Sequence, residues 1–417
     1  MARTLAILLW ATAFSTAASA QTGVRDRYFI RYPFDTWKTE KAPPQIKWSE
    51  KILRTGLSVH QRLTFKIDIG FERREIEKRR GRGELVAFLE MVDARGHQWR
   101  LHKTIDLAHI PPDVKMHDVS YEQEIFILPG EYKIYVAVCD TQTLEHGIVE
   151  RTFRAPELRD DPLPGSWSEL PAVEFVRPFE SPEIWFQPSI RGHLRLPLAT
   201  GRPIHVDLIM NLTPSERFYG SLRSFNRNMS VLVPALKILS AIEPRDGSLD
   251  VTLLDLTRRR VWEQKNAHGL DWATMREPLA NDDPGVIDVQ SLAARTEMRQ
   301  FFWDEVVGHV NPHSAREPIR VAIVLSAPVF LEHQDRVEPA VLPKDGNRRV
   351  YYLRYRALLP RPMFDPFTQG PRPLVSSLPG DDFESALKSL DPHVLSINTP
   401  QEFRKAVANM LADISRM

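Results

Sequence analysis

Hydrophobic and polar positions follow two different periods along this chain. Over residues 58–155 the period is two. In RLTFKIDIGFE, Leu63, Phe65, Ile67 and Ile69 fall on one face with polar residues between them, the pattern of a half-buried strand. ELVAFLEMVDARGHQW follows, with Ala94, Arg95 and Gly96 as a turn, and EIFILPGEYKIYVAVCD reads as two strands around Leu128-Pro129-Gly130-Glu131. Gly130 gives that turn a permissive backbone, and Pro129 fixes φ before it. GIVERTFRAP closes the run. Short strands at this spacing, with no helical window among them, predict an antiparallel β-sandwich.

From about residue 200 the period changes. PIHVDLIMNL is a short apolar run, as in a buried strand. MSVLVPALKILSAI carries Leu232, Leu236, Ile238, Leu239 and Ile242 at helical spacing, with Pro234 expected in the first turn. GSLDVTLLDLTRRRVWEQ reads as one bent strand or a hairpin. Residues 291–310 predict an amphipathic helix through Leu292, Met298, Phe301, Phe302 and Val306. PIRVAIVLSAPVFL, RRVYYLRYRA and HVLSIN predict three more strands. The last segment predicts a helix with Thr399 as N-cap, Pro400 at the first position and a stripe of Phe403, Val407, Leu411 and Ile414. Strands and helices in alternation predict an α/β sheet covered on both faces.

Proline marks the joints. The chain has 33 prolines against 19 glycines in 417 residues. Three prolines fall in 21–57, seven in 156–190 and six in 357–381. The first segment, with Trp37 and Trp48, reads as an extended arm. The second, with Trp167, Trp185 and Phe186, reads as a connector. The third holds Met363, Phe364 and Phe367, an apolar patch if the loop is free, though packing back onto the protein is the simpler reading. Ahead of the arm, Arg3, the apolar residues 5–14 and Ala18-Ser19-Ala20 have the order of a signal peptide ending before Gln21. The expected organisation is a signal peptide over 1–20, an arm over 21–57, the sandwich over 58–155, a connector over 156–199 and the α/β domain over 200–417. Export to a periplasm or beyond follows, with no membrane span after cleavage.

Lys and Arg number 55 against 54 Asp and Glu, and the net charge is +1. Losing Arg3 brings it to zero, so nucleic acid is not an expected partner. One cysteine excludes internal disulfides and multi-Cys metal sites. That residue, Cys139, stands in a strand and is expected to be buried and structural. The charged stretch 71–84 interleaves Arg79, Arg80 and Arg82 with Glu75, Glu77 and Glu84, as in a solvated hairpin loop.

No G-x-S-x-G, P-loop, G-x-G-x-x-G or H-E-x-x-H motif occurs. His309 and His313 are read as loop residues. Asp282, Asp283, Asp288, Asp381 and Asp382 are read as helix-start residues that favour the dipole. A buried strand ends in Asn211-Leu212-Thr213-Pro214-Ser215, a helix follows, and PIRVAIVLSAP and TPQEFRKAVANMLADI come later. This order resembles the von Willebrand factor A-type domain, in the divergent form of exported bacterial proteins, over about 200–417. The resemblance implies a doubly wound sheet. It also implies a metal-ion-dependent adhesion site, built from Asp-x-Ser-x-Ser after the first strand, a Thr from a second loop and an Asp after the fourth strand. Here Asn211, Thr213 and Ser215 occupy the loop, with an amide in place of the carboxylate. The later strand ends in Ser326-Ala327-Pro328, without an acid.

A hard divalent cation needs oxygen ligands with one or two carboxylates. The expectation is therefore a degenerate site with no metal or other cofactor, and at most weak Mg²⁺ or Ca²⁺ affinity. Asn211, Thr213, Ser215 and Ser326 are then ligand-facing residues at the carboxyl ends of the strands. The function expected is non-enzymatic binding of another protein or a cell-envelope polymer. Two alternatives stand beside it: a structural envelope component, and an exported hydrolase with dispersed catalytic residues, whose mark would be converging carboxylates or a Ser–His contact.

Overall fold

A computed structural model describes residues 26–40, 44–111, 117–177, 190–215, 222–271, 274–275, 295–311, 318–331, 337, 348–356, 364–365, 370–371 and 381–417. The predicted leader, Trp185, Phe186, the loop with Asp282, Asp283 and Asp288, Leu292, His313, Met363 and Phe367 lie outside these residues.

The arm is helical where an extended chain was expected. Asp26 caps α1 (Arg27–Arg31) by accepting from the Tyr28 N–H at 2.9 Å, and α2 (Phe34–Trp37) follows. Together they set Phe29, Tyr32, Phe34 and Trp37 around Phe88 on the outer face of a sheet. Cys139 lies under the same cluster. It is buried as predicted, but beneath the arm and outside the space between the sheets. Burial pushes its thiol up to about 12, with Asp140 adding to the effect, so the thiolate is absent at neutral pH.

The sandwich has two antiparallel four-stranded sheets. Its strands are β1 (Trp48–Leu57), β2 (Leu63–Phe71), β3 (Glu84–Asp93), β4 (Gln98–Asp106), β5 (Val119–Ile127), β6 (Gly130–Asp140), β7 (His146–Ala155) and β8 (Val173–Phe175). The orders are β1-β2-β5-β8 and β4-β3-β6-β7. Leu63, Phe65, Ile67, Ile69 and Phe71 of β2 all enter the core between the sheets, as their alternation predicted. β1 comes from the segment read as arm, and β8 from the segment read as connector. α3 (Arg73–Arg79) stands where a hairpin loop was expected. Its Arg79 is buried against Glu75, Asp140 and Glu145. Charge density hid this helix, because Glu75 and Arg79 are an i,i+4 pair as well as a charged run.

The second unit holds a six-stranded mixed sheet in the order β13-β12-β10-β14-β15-β18. β9 (Leu196–Leu198) pairs outside it with β11 (Ile242–Pro244). β10 (Ile204–Asn211), β12 (Gly247–Asp255), β14 (Ile319–Ser326), β15 (Arg348–Tyr355) and β18 (His393–Ile397) run parallel. β13 (Arg260–Gln264) returns antiparallel from β12, which settles the hairpin. The stretch 357–381 contains a two-residue pair, β16 (Phe364–Asp365) with β17 (Gly370–Pro371). Helices α4 (Leu222–Leu239) and α7 (Pro400–Ile414) pack on Val206, Leu208 and Met210. Helices α5 (Met298–Val310) and α6 (Asp382–Leu387) pack on the other face, against Ile209, Val324 and Tyr352.

The last helix begins as read, with Thr399 Oγ1 accepting from the Glu402 N–H at 3.2 Å. Pro234 departs from its reading and sits well inside α4, because the helix begins upstream at Leu222. Gly247 opens β12 at φ +159°, where a Cβ would lie 1.9 Å from the Ile204 carbonyl oxygen. Only glycine lets these strands approach there.

The two units meet at Trp167, which packs against both cores. Its indole N–H donates to the Gln61 carbonyl at 2.8 Å. The Arg404 guanidinium lies 4.8 Å from its ring centroid. Arg404, from α7, also grips both Asp161 oxygens at 2.6 and 2.8 Å and donates to Leu163 and Ser166. Such a bidentate fork is the strong form of the pair.

Candidate functional site

Three polar clusters stand out among the described residues. The first is the carboxyl edge of the parallel strands. The structure brings Asn211, Thr213 and Ser326 together there. Asn211 Nδ2 donates to Ser326 Oγ at 3.0 Å and to the Thr213 carbonyl at 2.9 Å, while its Oδ1 accepts from the Thr213 N–H. Thr213 Oγ1 accepts from the Leu256 N–H at 2.8 Å. Ser326 Oγ donates to the Ala327 carbonyl, and Ser215 Oγ exchanges hydrogen bonds with the Phe330 backbone. Asp381 caps α6 by accepting from the Phe383 N–H, and its other oxygen accepts from Tyr352 at 2.7 Å. Burial raises the Asp381 carboxyl above its ordinary value, against the lowering effect of these donors. Each predicted residue is thus occupied by protein. The amide at 211 supplies the donors that a carboxylate in that place would lack.

The second cluster lines a small cleft of about 20 Å³ between the units, formed by His60, Arg62, His193, Lys237 and Pro234. Arg62 precedes β2, stacks on Phe126 at 4.7 Å, and donates through Nη1 to Glu174 of β8. Its Nε and Nη2 have no hydrogen-bond partner, although the side chain is only 2% exposed. Glu174 is satisfied, accepting also from the Arg191 N–H at 2.5 Å and the Gly192 N–H at 3.2 Å. A Cβ at Gly192 would come 2.9 Å from Arg62 Nη1, so glycine permits the approach.

Lys237 of α4 forms the facing wall and donates to the Ile190 carbonyl at 3.1 Å. Burial lowers its ammonium below the ordinary value; Glu174 opposes this and Arg62 adds to it. Burial, Lys237 and Arg62 push His60 down to about 3, and burial with the same cations lowers His193. At neutral pH His60 is therefore a neutral imidazole, set beside the Arg62 guanidinium and the facing Lys237.

The third cluster lies on the face of the sheet under α5. Register sets Asp207 of β10 beside Asp250 of β12, and His205 beside Ser248. His205 Nδ1 is 2.6 Å from Ser248 Oγ, and its Nε2 is 3.2 Å from Asp207 Oδ1 and 3.5 Å from Asp250 Oδ2. His309 Nδ1 reaches Asp207 Oδ1 at 2.9 Å from the last turn of α5, where a loop residue was expected. Burial raises the Asp207 carboxyl, but hydrogen bonds from His205 and His309 outweigh it and hold the group low.

Neither the second nor the third cluster was read from the sequence. The third left a signal: His205-x-Asp207 and Ser248-x-Asp250 put polar pairs at period two inside apolar strands. The second left none, since its members come from four separated segments.

No protein-family model and no curated protein matches the chain. Among solved structures, a Northeast Structural Genomics Consortium target is 12% identical at a TM-score of 0.17, covering 27% of this chain and 87% of that one. A β-glucuronidase of Parabacteroides merdae is 12% identical at a TM-score of 0.19. It is covered over 40% of its length by 85% of this chain. Likeness at this level carries no argument about fold or activity.

Proposed function

We propose that the chain is an exported, non-enzymatic binding protein that takes an anionic group of another protein or envelope polymer into the cleft between its two units. The observation that supports this is Arg62. A guanidinium this buried, with two donor nitrogens unanswered, costs about 1–3 kcal/mol per group left unsatisfied. A carboxylate or similar anion would recover that cost and meet Lys237 as well. Clefts between units are also where ligand sites concentrate. Residues 200–417 are read as a divergent A-type domain, supported by the strand order, the antiparallel β13 and helices on both faces. Its carboxyl edge serves as scaffold. The leader-like residues 1–20 support export.

A thermal-shift panel at constant ionic strength tests the binding reading. Poly-glutamate should raise the melting temperature and poly-lysine should not. Equal responses to the two polymers, or none, would sink it.

A second reading, the hydrolase, is favoured by one contact. Ser248, His205 and Asp207 stand in the order of nucleophile, base and orienting acid. It requires a bare Nδ1 to take the serine proton. Covalent labelling of Ser248 by a fluorophosphonate, absent in Ser248→Ala, would support it.

A further inference from the structure

We infer that His205, Asp207 and Asp250 form a divalent transition-metal site. Their ligand atoms, one imidazole nitrogen and two carboxylate oxygens, all lie within 4.8 Å of one another. The strands that carry them are hydrogen-bonded neighbours in a sheet covered by helices, so the donors are held by the most rigid part of the unit.

An independent feature points to a ligand. Asp207 is 1% exposed, and its Oδ2 has no hydrogen-bond partner while Oδ1 is used by both His205 and His309. A buried carboxylate oxygen without a donor is costly. A cation is the partner that also answers Asp250, whose Oδ2 lies 3.5 Å from His205 Nε2.

The surrounding contacts are those that orient metal ligands. With a metal bound, Ser248 Oγ at 2.6 Å accepts from the Nδ1–H of His205, and the Nε2 lone pair holds the metal in place of its hydrogen bond to Asp207. His309 donates to Asp207 Oδ1 and fastens that carboxylate from α5. Two carboxylates and a neutral imidazole cancel a 2+ charge. A mixed nitrogen and oxygen set favours Zn²⁺ or Mn²⁺ over the all-oxygen coordination of Ca²⁺ and Mg²⁺. Three protein ligands leave one tetrahedral position for water. The site lies in the amino-terminal halves of β10 and β12, apart from the carboxyl edge with Asn211. It assigns the His205 proton to Nδ1, opposite to what the hydrolase reading requires.

The test is calorimetry of the untagged, chelator-treated full chain with ZnCl₂, MnCl₂ and MgCl₂, beside the visible spectrum with CoCl₂. The expected result is one Zn²⁺ per chain with a Kd below about 1 μM and intense tetrahedral Co²⁺ bands. Asp250→Asn and His205→Gln should each weaken Zn²⁺ binding about 100-fold or more, and Ser248→Ala about tenfold. Asn211→Ala should leave it unchanged. If the variants fail to fold, the wild-type Co²⁺ spectrum decides. Weak octahedral bands, millimolar Zn²⁺ binding, or binding indifferent to Asp250→Asn would overturn the assignment.

Discussion

The carboxyl edge of the sheet and the cleft between the units are both rich in polar side chains, and they are built on opposite terms. At the edge, Asn211, Thr213, Ser215 and Ser326 answer one another or nearby backbone. In the cleft, Arg62 keeps two donor nitrogens unanswered beside Lys237. The difference teaches that residue types in a familiar order mark a place in the fold, whereas unfinished hydrogen bonding marks readiness for a ligand. By this criterion the four edge residues read as scaffold, and the cleft is the site we propose.

Mutations can break that contrast. The largest effect is expected from Arg62→Ala, which strands Glu174 in the interior without its cation. Removing one partner of a buried pair costs about 3–5 kcal/mol, read as a shifted denaturation midpoint. Asn211→Ala should cost about 1–3 kcal/mol, because the Thr213 N–H loses its acceptor inside the protein. It should leave anion binding intact, which is how scaffold differs from site. Lys237→Met should do the reverse. Stability should hold or rise, since a buried ammonium is removed, while anion affinity falls about tenfold, the equivalent of one charge-assisted hydrogen bond.

The smallest effect is a pH dependence with a definite sign. Lys237 has a folded pKa below its unfolded one, so the unfolded chain binds more protons between the two values. Stability should therefore rise with pH through that window. Anion binding should weaken over the same range, as Lys237 loses its charge at a lower pH than an ordinary lysine. A chemical-denaturation series paired with binding at each pH checks both slopes.

Much of the fold was legible because it rests on period and burial. The alternation of β2, the apolar run of β14 and the Thr399 start of α7 each follow from a few neighbouring residues. What was missed depends on contacts between distant ones. β1 and β8 were read as joints because Pro43, Pro44 and the prolines of 156–190 dominate their neighbourhoods, while the strands themselves are completed by partners elsewhere. Arg79 was read as solvated because its acceptors Asp140 and Glu145 are far along the chain. The cleft is the extreme case: nothing local ties His60 and Arg62 to His193 or Lys237. Asn211, Thr213 and Ser326 were placed together correctly, but only the hydrogen bonds show that they satisfy one another.

The most direct test of the cleft is calorimetric titration of the full chain with poly-glutamate near neutral pH and moderate salt, in wild type and in Lys237→Met. The account predicts saturable binding that Lys237→Met weakens about tenfold and Asn211→Ala leaves alone. Binding that survives Lys237→Met and disappears in Asn211→Ala would contradict it and return the site to the carboxyl edge of the sheet.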